Sequence, residues 1–196
     1  RVIIDKNGFT VKSIDRKPSF YGFYWDGELG IEDARITKIN YLYVMTYVAL
    51  SRTGNVSTSY ALSNNCINWR RRGVIFGEQD KDTVLFPELI NKKYVAFDRP
   101  EGSFQFTSPH IWINYSKDLE YWKKSKPISL SKKGDWDYGK SGAGPPPIKT
   151  KKGWLLLYHA VIEKEKIRKH RYPIFYLRKL LGLDCQNELE IIHFYS

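Results

Sequence analysis

Cysteine is scarce in this chain of 196 residues, and several familiar catalytic signatures are missing altogether. The two cysteines, Cys66 and Cys185, show no metal-ligand spacing. Free thiols in an intracellular protein are therefore the expectation, rather than a disulfide scaffold. Four histidines (His110, His159, His170 and His193) form no zinc motif, and nothing else points to a metal. The phosphate loop G-x-x-x-x-G-K-[ST] is absent, as are G-x-S-x-G, a Ser/His/Asp order and a Cys/His pair. No run approaches the ~18 apolar residues that a membrane span requires. The N-terminus lacks the basic, apolar and small-residue succession of a secretory leader, so a cytoplasmic location is expected. It also lacks Met, and the chain reads as a fragment or as starting inside a longer gene product. No long amphipathic helix is evident before residue 160.

What remains is a strand-rich, aromatic and basic sequence. Apolar residues make up 42% and aromatics 15%, enough for a packed core. Segments such as VIIDKNGFTV, ITKINYLYVMTYVAL, STSYALS, VLFPELINKKYVAF, HIWINYS and GWLLLYHAV are β-branched and aromatic, with Gly, Asn and Asp turns between them. The formal charge of +11 raises a nucleic-acid reading, but the distribution disfavours it. Arg70-Arg71-Arg72, Lys123-Lys124, Lys132-Lys133 and Lys149-Lys151-Lys152 fall mostly at turns between apolar strands. A small anionic partner suits the surplus better.

One pattern recurs. With Tyr43, Tyr94 and Trp154 aligned, the strands read YVMTYVA, YVAFDRP and WLLLYHA. Five residues past the aligned aromatic stand Val48, Arg99 and His159. A second element repeats as SNNCINW (63–69) and SKDLEYW (116–122). The two Trp residues are 53 apart and the aligned aromatics 51 and 60 apart. Periods of about 50 residues with several short strands each suggest β-propeller blades. The expected fold is all-β, with three to four blades in residues 1–161 and a divergent tail over 162–196. Trp69 and Trp122 are expected to pack between blades.

In a propeller, the inner strands and the loops that follow them converge on a funnel. Four segments are candidates: Gly30–Arg35, Lys81–Pro87, Asp98–Pro100 and Lys140–His159. Asp33 and Asp82 both open a repeat. They suit acid/base work or sugar binding, or they satisfy backbone donors and a neighbouring Arg such as Arg35. Arg99 lies in an otherwise apolar strand; it suits an anion clamp, or a salt bridge to Asp98 or Asp82. His159 shares its register. Lys140 precedes Ser141-Gly-Ala-Gly144, a stretch where backbone can approach a ligand closely. Trp112, Trp136 and Tyr138 could stack on sugars or serve the core equally well.

The segments GIEDARIT, KDTVLFPELINKKYVAFDRP, SxDLxxW and GAGPPPIKTKKGWLLLYHA, in that order, resemble glycoside hydrolase family 130, the inverting β-mannoside phosphorylases and related β-mannosidases. The resemblance runs from about residue 5 to 162 and implies a five-bladed β-propeller. It implies that inorganic phosphate, a co-substrate and not a cofactor, attacks the anomeric carbon of a mannosyl residue. One carboxyl group then protonates the leaving oxygen by way of a sugar hydroxyl. Mannose-containing oligosaccharide and phosphate are the implied partners, and a homo-oligomer is admitted. Arg99 and His159 carry over as phosphate ligands, and Lys140 as a phosphate or mannose contact. Glu32, Arg35 and Lys81 carry over as substrate contacts. The retained cations favour phosphorolysis, whereas hydrolysis would need a general base.

Three departures stand out. The family's Y-T-A-Y-D is Tyr47-Val-Ala-Leu-Ser51 here, and Ser51 cannot act as the acid. Asp82 and Asp33 are the substitutes. An inactive glycan-binding chain is the alternative. Ala34 replaces the Pro of E-D-P-R, and Asp98 replaces a frequent His before R-P. After Val161 the family pattern fades, as expected of a degraded or frame-shifted blade.

Overall fold

A computed structural model describes residues 1–77, 79–101, 109–128, 137–161 and 174–181. Apart from one 3-10 turn at Tyr24–Asp26, every regular element among them is a strand, as expected of an all-β chain. A short hairpin pairs β1 (Val2–Ile4) with β2 (Val11–Ile14). Three four-stranded antiparallel sheets follow. The first runs in chain order through β3 (Gly30–Ile39), β4 (Leu42–Leu50), β5 (Val56–Ser63) and β6 (Arg70–Phe76). The second contains β7 (Asp80–Leu85), β8 (Tyr94–Pro100), β9 (Trp112–Ser116) and β10 (Trp122–Pro127), again in chain order. In the third, β11 (Lys140–Ala143) and β12 (Ile148–Thr150) line one side of β13 (Gly153–Val161), and β14 (Ile174–Leu181) lines the other. Residues 144–147, Gly-Pro-Pro-Pro, separate β11 from β12 along that side of β13, because proline cannot donate to a ladder. Strand β14 lies beyond residue 161, where the tail was expected to begin.

The repeat is physical. Tyr43 and Tyr94 pair with Ser63 and Ser116 at the same place in the first two sheets. Each serine then starts the same turn. Ser63 Oγ accepts from the amide of Asn65, and Ser116 Oγ from those of Asp118 and Leu119. Asn65 Oδ1 accepts from the amides of Ile67 and Asn68, and Asp118 Oδ1 from those of Glu120 and Tyr121. Cys66 and Leu119 occupy the left-handed position of these turns, at φ 56° and 69°. Such a position is costly for a side chain without local compensation, and here the Asx-type bonds supply it.

Core residues sit between sheets, so the central strands are buried on both faces. Ile39, Val44 and Tyr60 of the first sheet pack on Leu85, Ala96 and Leu119 of the second. Trp122 lies against Phe76 at 5.6 Å between ring centroids, so it packs between sheets as expected. Between the second and third sheets, Phe86 contacts Phe97 at 4.9 Å and Trp154 at 5.1 Å. Each such fully buried side chain stabilises by roughly 1.5–3 kcal/mol. On the far face of the first sheet, Phe20, Ile31 and Trp69 pack against Met45, Tyr47, Ala49 and Ala61, so Trp69, unlike Trp122 and contrary to expectation, does not lie between two of the described sheets. Buried there, Tyr47 donates to Glu28 (2.7 Å), which also binds Arg71 (3.1 Å). Burial, reinforced by Glu28, holds the Tyr47 hydroxyl well above its ordinary pKa.

Candidate active site

Two β-bulges place the site. In β3, Glu32 faces Val48 and Arg35 faces Thr46, leaving Asp33 and Ala34 as the irregularity. In β7, Lys81 faces Arg99 and Val84 faces Phe97, leaving Asp82 and Thr83. Asp33 and Asp82 take the same left-handed backbone, φ 53° and 55°. They are equivalent positions, as their place in the repeat suggests. An extra residue re-aims a strand's side chains and frees ladder groups. The freed carbonyl of Thr83 is satisfied from the neighbouring sheet by Thr46 Oγ1 at 2.6 Å.

The bulge in β7 turns Asp82 into a buried junction, 4% exposed. Arg35 of the first sheet donates to its Oδ1 at 2.8 Å. Arg99 of the second sheet meets Oδ2 at 2.5 Å, and His159 Nε2 of the third lies 3.1 Å from the same oxygen. Arg99 and His159, which share a register in the sequence repeat, stand 3.5 Å apart. Gly142 pairs with His159 and faces this cluster. A Cβ there would overlap Asp82 Oδ2 and lie 2.7 Å from His159 and 2.8 Å from Arg99. Only glycine allows the close approach.

Burial alone would raise the Asp82 pKa. The hydrogen bond from His159 and the charges of Arg99 and Arg35 outweigh it and hold the carboxyl well below the usual range. An acid must carry a proton at working pH, and Asp82 so held is an acceptor of cations. These contacts suit Asp82 to anchoring the surrounding cations better than to donating a proton. Asp33, at the equivalent bulge, is exposed. Ser51 is used locally: its Oγ accepts from the Asn55 amide (3.1 Å) and meets Thr53 Oγ1 (2.9 Å) within the β4–β5 turn.

Arg35, expected to touch substrate, is committed elsewhere. Besides Asp82, it donates to the carbonyls of Ala143 and Gly144, each at 3.1 Å, and to that of Asp33 at 3.4 Å. It fastens the first sheet to the second and third. Lys81 and Glu32, at matching places on β7 and β3, lie 3.6 Å apart and stay partly open to solvent. Lys140, at the start of β11, reaches Glu101 Oε1, and Arg99 Nη2 reaches the same oxygen at 2.5 Å. Asp98 turns away from Arg99 and accepts from Asn114 Nδ2 at 2.7 Å. So Arg99, His159, Lys140 and Arg35 converge, with Lys81 and Glu32 forming a separate pair. Trp136 lies outside the described residues.

Sequence reasoning missed two members, Glu101 and Gly142 as a steric requirement. Glu101 follows R-P directly, where strand β8 ends, and that adjacency was its one available signal. A cavity of about 650 Å³ lies apart from this cluster, walled by Tyr115, Tyr121, Trp122 and three lysines. The ionic chemistry is at the sheet junction, and that marks the site more firmly than void volume does.

Residues 4–179 match the family described as beta-1,4-mannooligosaccharide phosphorylase, Glyco_hydro_130. The chain is 38% identical over 167 residues to a 1,2-beta-oligomannan phosphorylase of Thermoanaerobacter sp. (strain X514), covering 84% of this chain and 54% of that protein. It is 36% identical over 166 residues to a beta-1,2-mannobiose phosphorylase of Listeria innocua, covering 85% and 46%. The solved structure of beta-1,2-mannobiose phosphorylase from Listeria innocua, in complex with beta-1,2-mannobiose, superposes with a TM-score of 0.75 at 33% identity. That match covers 88% of this chain and 46% of the other. The chain thus spans about half the length of the relatives it matches.

Proposed function

Because the chain belongs to glycoside hydrolase family 130, we propose that it holds inorganic phosphate for an inverting phosphorolysis of β-mannosides, releasing mannose 1-phosphate. One observation carries the reading: Arg99 and His159, from one register of successive sheets, stand 3.5 Å apart at the junction of three sheets. Lys140 shares a carboxylate oxygen with Arg99 beside them. In this reading the sheets are blades of a five-bladed propeller and the junction lies at its funnel. The cations hold a nucleophile that is already an anion, so no base is required. A phosphate oxygen bonds to the anomeric carbon as the glycosidic C–O bond breaks on the opposite face, and a proton passes to the leaving oxygen. Each charge-assisted bond to phosphate contributes roughly 1.5–3 kcal/mol. Glu32 and Lys81 flank the sugar. With Asp82 held ionised, Asp33 is the carboxyl left to supply the proton. The relatives of 36–38% identity act on β-1,2 linkages by name, which makes β-1,2-mannosides the first substrates to try.

The test incubates the protein with β-1,2- and β-1,4-mannobiose, with and without phosphate. Mannose 1-phosphate formed only with phosphate supports the reading. Free mannose at equal rates in both conditions identifies a β-mannosidase and sinks it. The use of Ser51 in a turn favours a second reading, a chain that binds phosphate and mannoside without turnover. Oligosaccharide binding with no product would establish it. Arg99→Ala should weaken phosphate binding by about 30- to 100-fold, the loss of one charge-assisted bond. Mannoside binding should change little, and an equal loss of both would remove Arg99 from the phosphate site.

A further inference from the structure

The cation cradle is already occupied by carboxylates, and the two differ in kind. Asp82 is fixed by its left-handed bulge, by Arg35 and by the wall at Gly142, and its side chain is 5% exposed. Glu101 stands just past the end of β8, with a side chain 24% exposed and one more rotatable bond. Its Oε1 bridges Arg99 Nη2 and Lys140 Nζ. Those are the two cations, one rigid and one flexible, that the phosphate reading requires to point at the nucleophile. An oxygen shared between a guanidinium and an ammonium is where one oxygen of a bound phosphate would sit. Arg99 Nη1 is spent on Asp82, so Nη2 is the arm that remains for a ligand.

Resting on that reading, we infer that Glu101 is a resident stand-in for phosphate. It occupies the anion position in the free protein, leaves it when phosphate arrives, and so sets the phosphate affinity. Charge supports the exchange. Arg35, Arg99 and Lys140 bring three positive charges against the two carboxylates Asp82 and Glu101. A phosphate dianion entering with Glu101 in place would meet little net attraction. With Glu101 rotated to solvent, two cations turn to it. Asp82 cannot move in this way without breaking the contacts that join the sheets. Phosphate that replaces Glu101 restores a charge partner to Arg99 and Lys140, so the exchange leaves neither of these cations without an anion.

Isothermal titration of inorganic phosphate into the protein tests this without needing turnover. Glu101→Gln keeps the shape and removes the competing charge, so phosphate should bind about five- to tenfold tighter. If the chain turns over, the KM for phosphate should fall by a similar factor with the KM for mannoside unchanged. Glu101→Ala gives a second variant, expected to shift the same way. Unchanged or weaker binding by folded Glu101→Gln would mean that Glu101 positions Arg99 and Lys140, and it overturns the inference alone. Absence of phosphate binding by the wild type and both variants overturns the inference together with the phosphate reading beneath it.

Discussion

Asp82 shows how one residue can be assigned by its neighbours. In sequence it is an acidic residue opening a repeat, equivalent to Asp33. In the folded chain Arg35, Arg99 and His159 reach it from three sheets, while Asp33 stays in solvent. A carboxyl whose pKa is depressed on folding contributes stability that is fully present above its unfolded value, about 3.9. That contribution is lost as pH falls toward the folded value. Asp82→Asn should therefore cost about 3 kcal/mol at pH 7, since it removes the anion shared by Arg35 and the buried Arg99 and leaves Arg99 its contact with Glu101. The gap between wild type and variant should be smaller at pH 3 by roughly 1 kcal/mol, with the rest lost only nearer the folded value. Urea denaturation at the two pH values measures it, and a gap that ignores pH would show that Asp82 is not held ionised by folding. The shared register of Arg99 and His159 was legible, because strand residues keep their phase along a repeat. Glu101 was not, because its partners come from β8 and β11, and no local pattern records that meeting.

At the scale of elements, the serine-led turns and the aligned aromatics were readable because their chemistry is local. The bulges were not. An extra residue in β3 or β7 leaves the apolar pattern of the neighbouring strand intact and shows only in the pairing. Strand β11 carries a stricter demand, since Ser141-Gly-Ala reads as a loose stretch but is a paired strand beside His159. Gly142→Ala would drive a methyl group into Asp82, His159 and Arg99. Overpacking of this kind costs about 3 kcal/mol, and here it would also spread the cations. The variant should lose stability and phosphate binding together. Gly77→Ala is the control, because a Cβ there meets nothing within 4 Å; it should stay within about 0.5 kcal/mol of wild type. Thermal denaturation and phosphate titration of the pair separate a steric effect at the site from a general effect of replacing glycine.

Across the described residues, apolar layers between sheets are joined by polar contacts such as Thr46 to the Thr83 carbonyl, and by a polar pin that reaches all three sheets. Arg35 is that pin, joining β3 to Asp82 on β7 and to the carbonyls of Ala143 and Gly144. Its planar fork serves these acceptors at once, which a lysine ammonium on a flexible stem cannot reproduce. Arg35→Lys keeps the charge and should still lose about 2–3 kcal/mol, somewhat less than the roughly 3–5 kcal/mol for breaking a buried pair outright. Because Asp82 would then drift, phosphate affinity should fall through the loss of the Arg35–Asp82 contact. A surface pair gives the contrast: Lys149 meets Glu88 with both side chains largely exposed, so Lys149→Ala should change stability by under about 1 kcal/mol and leave phosphate binding as it was. The decisive comparison is a double-mutant cycle between Arg35→Lys and Asp82→Asn. If the pin works through Asp82, the effects of the two substitutions on phosphate affinity will not add in the double variant. Full additivity would mean that the sheets are held in register by their apolar layers alone, and that the convergence of Arg99 and His159 does not depend on the first sheet.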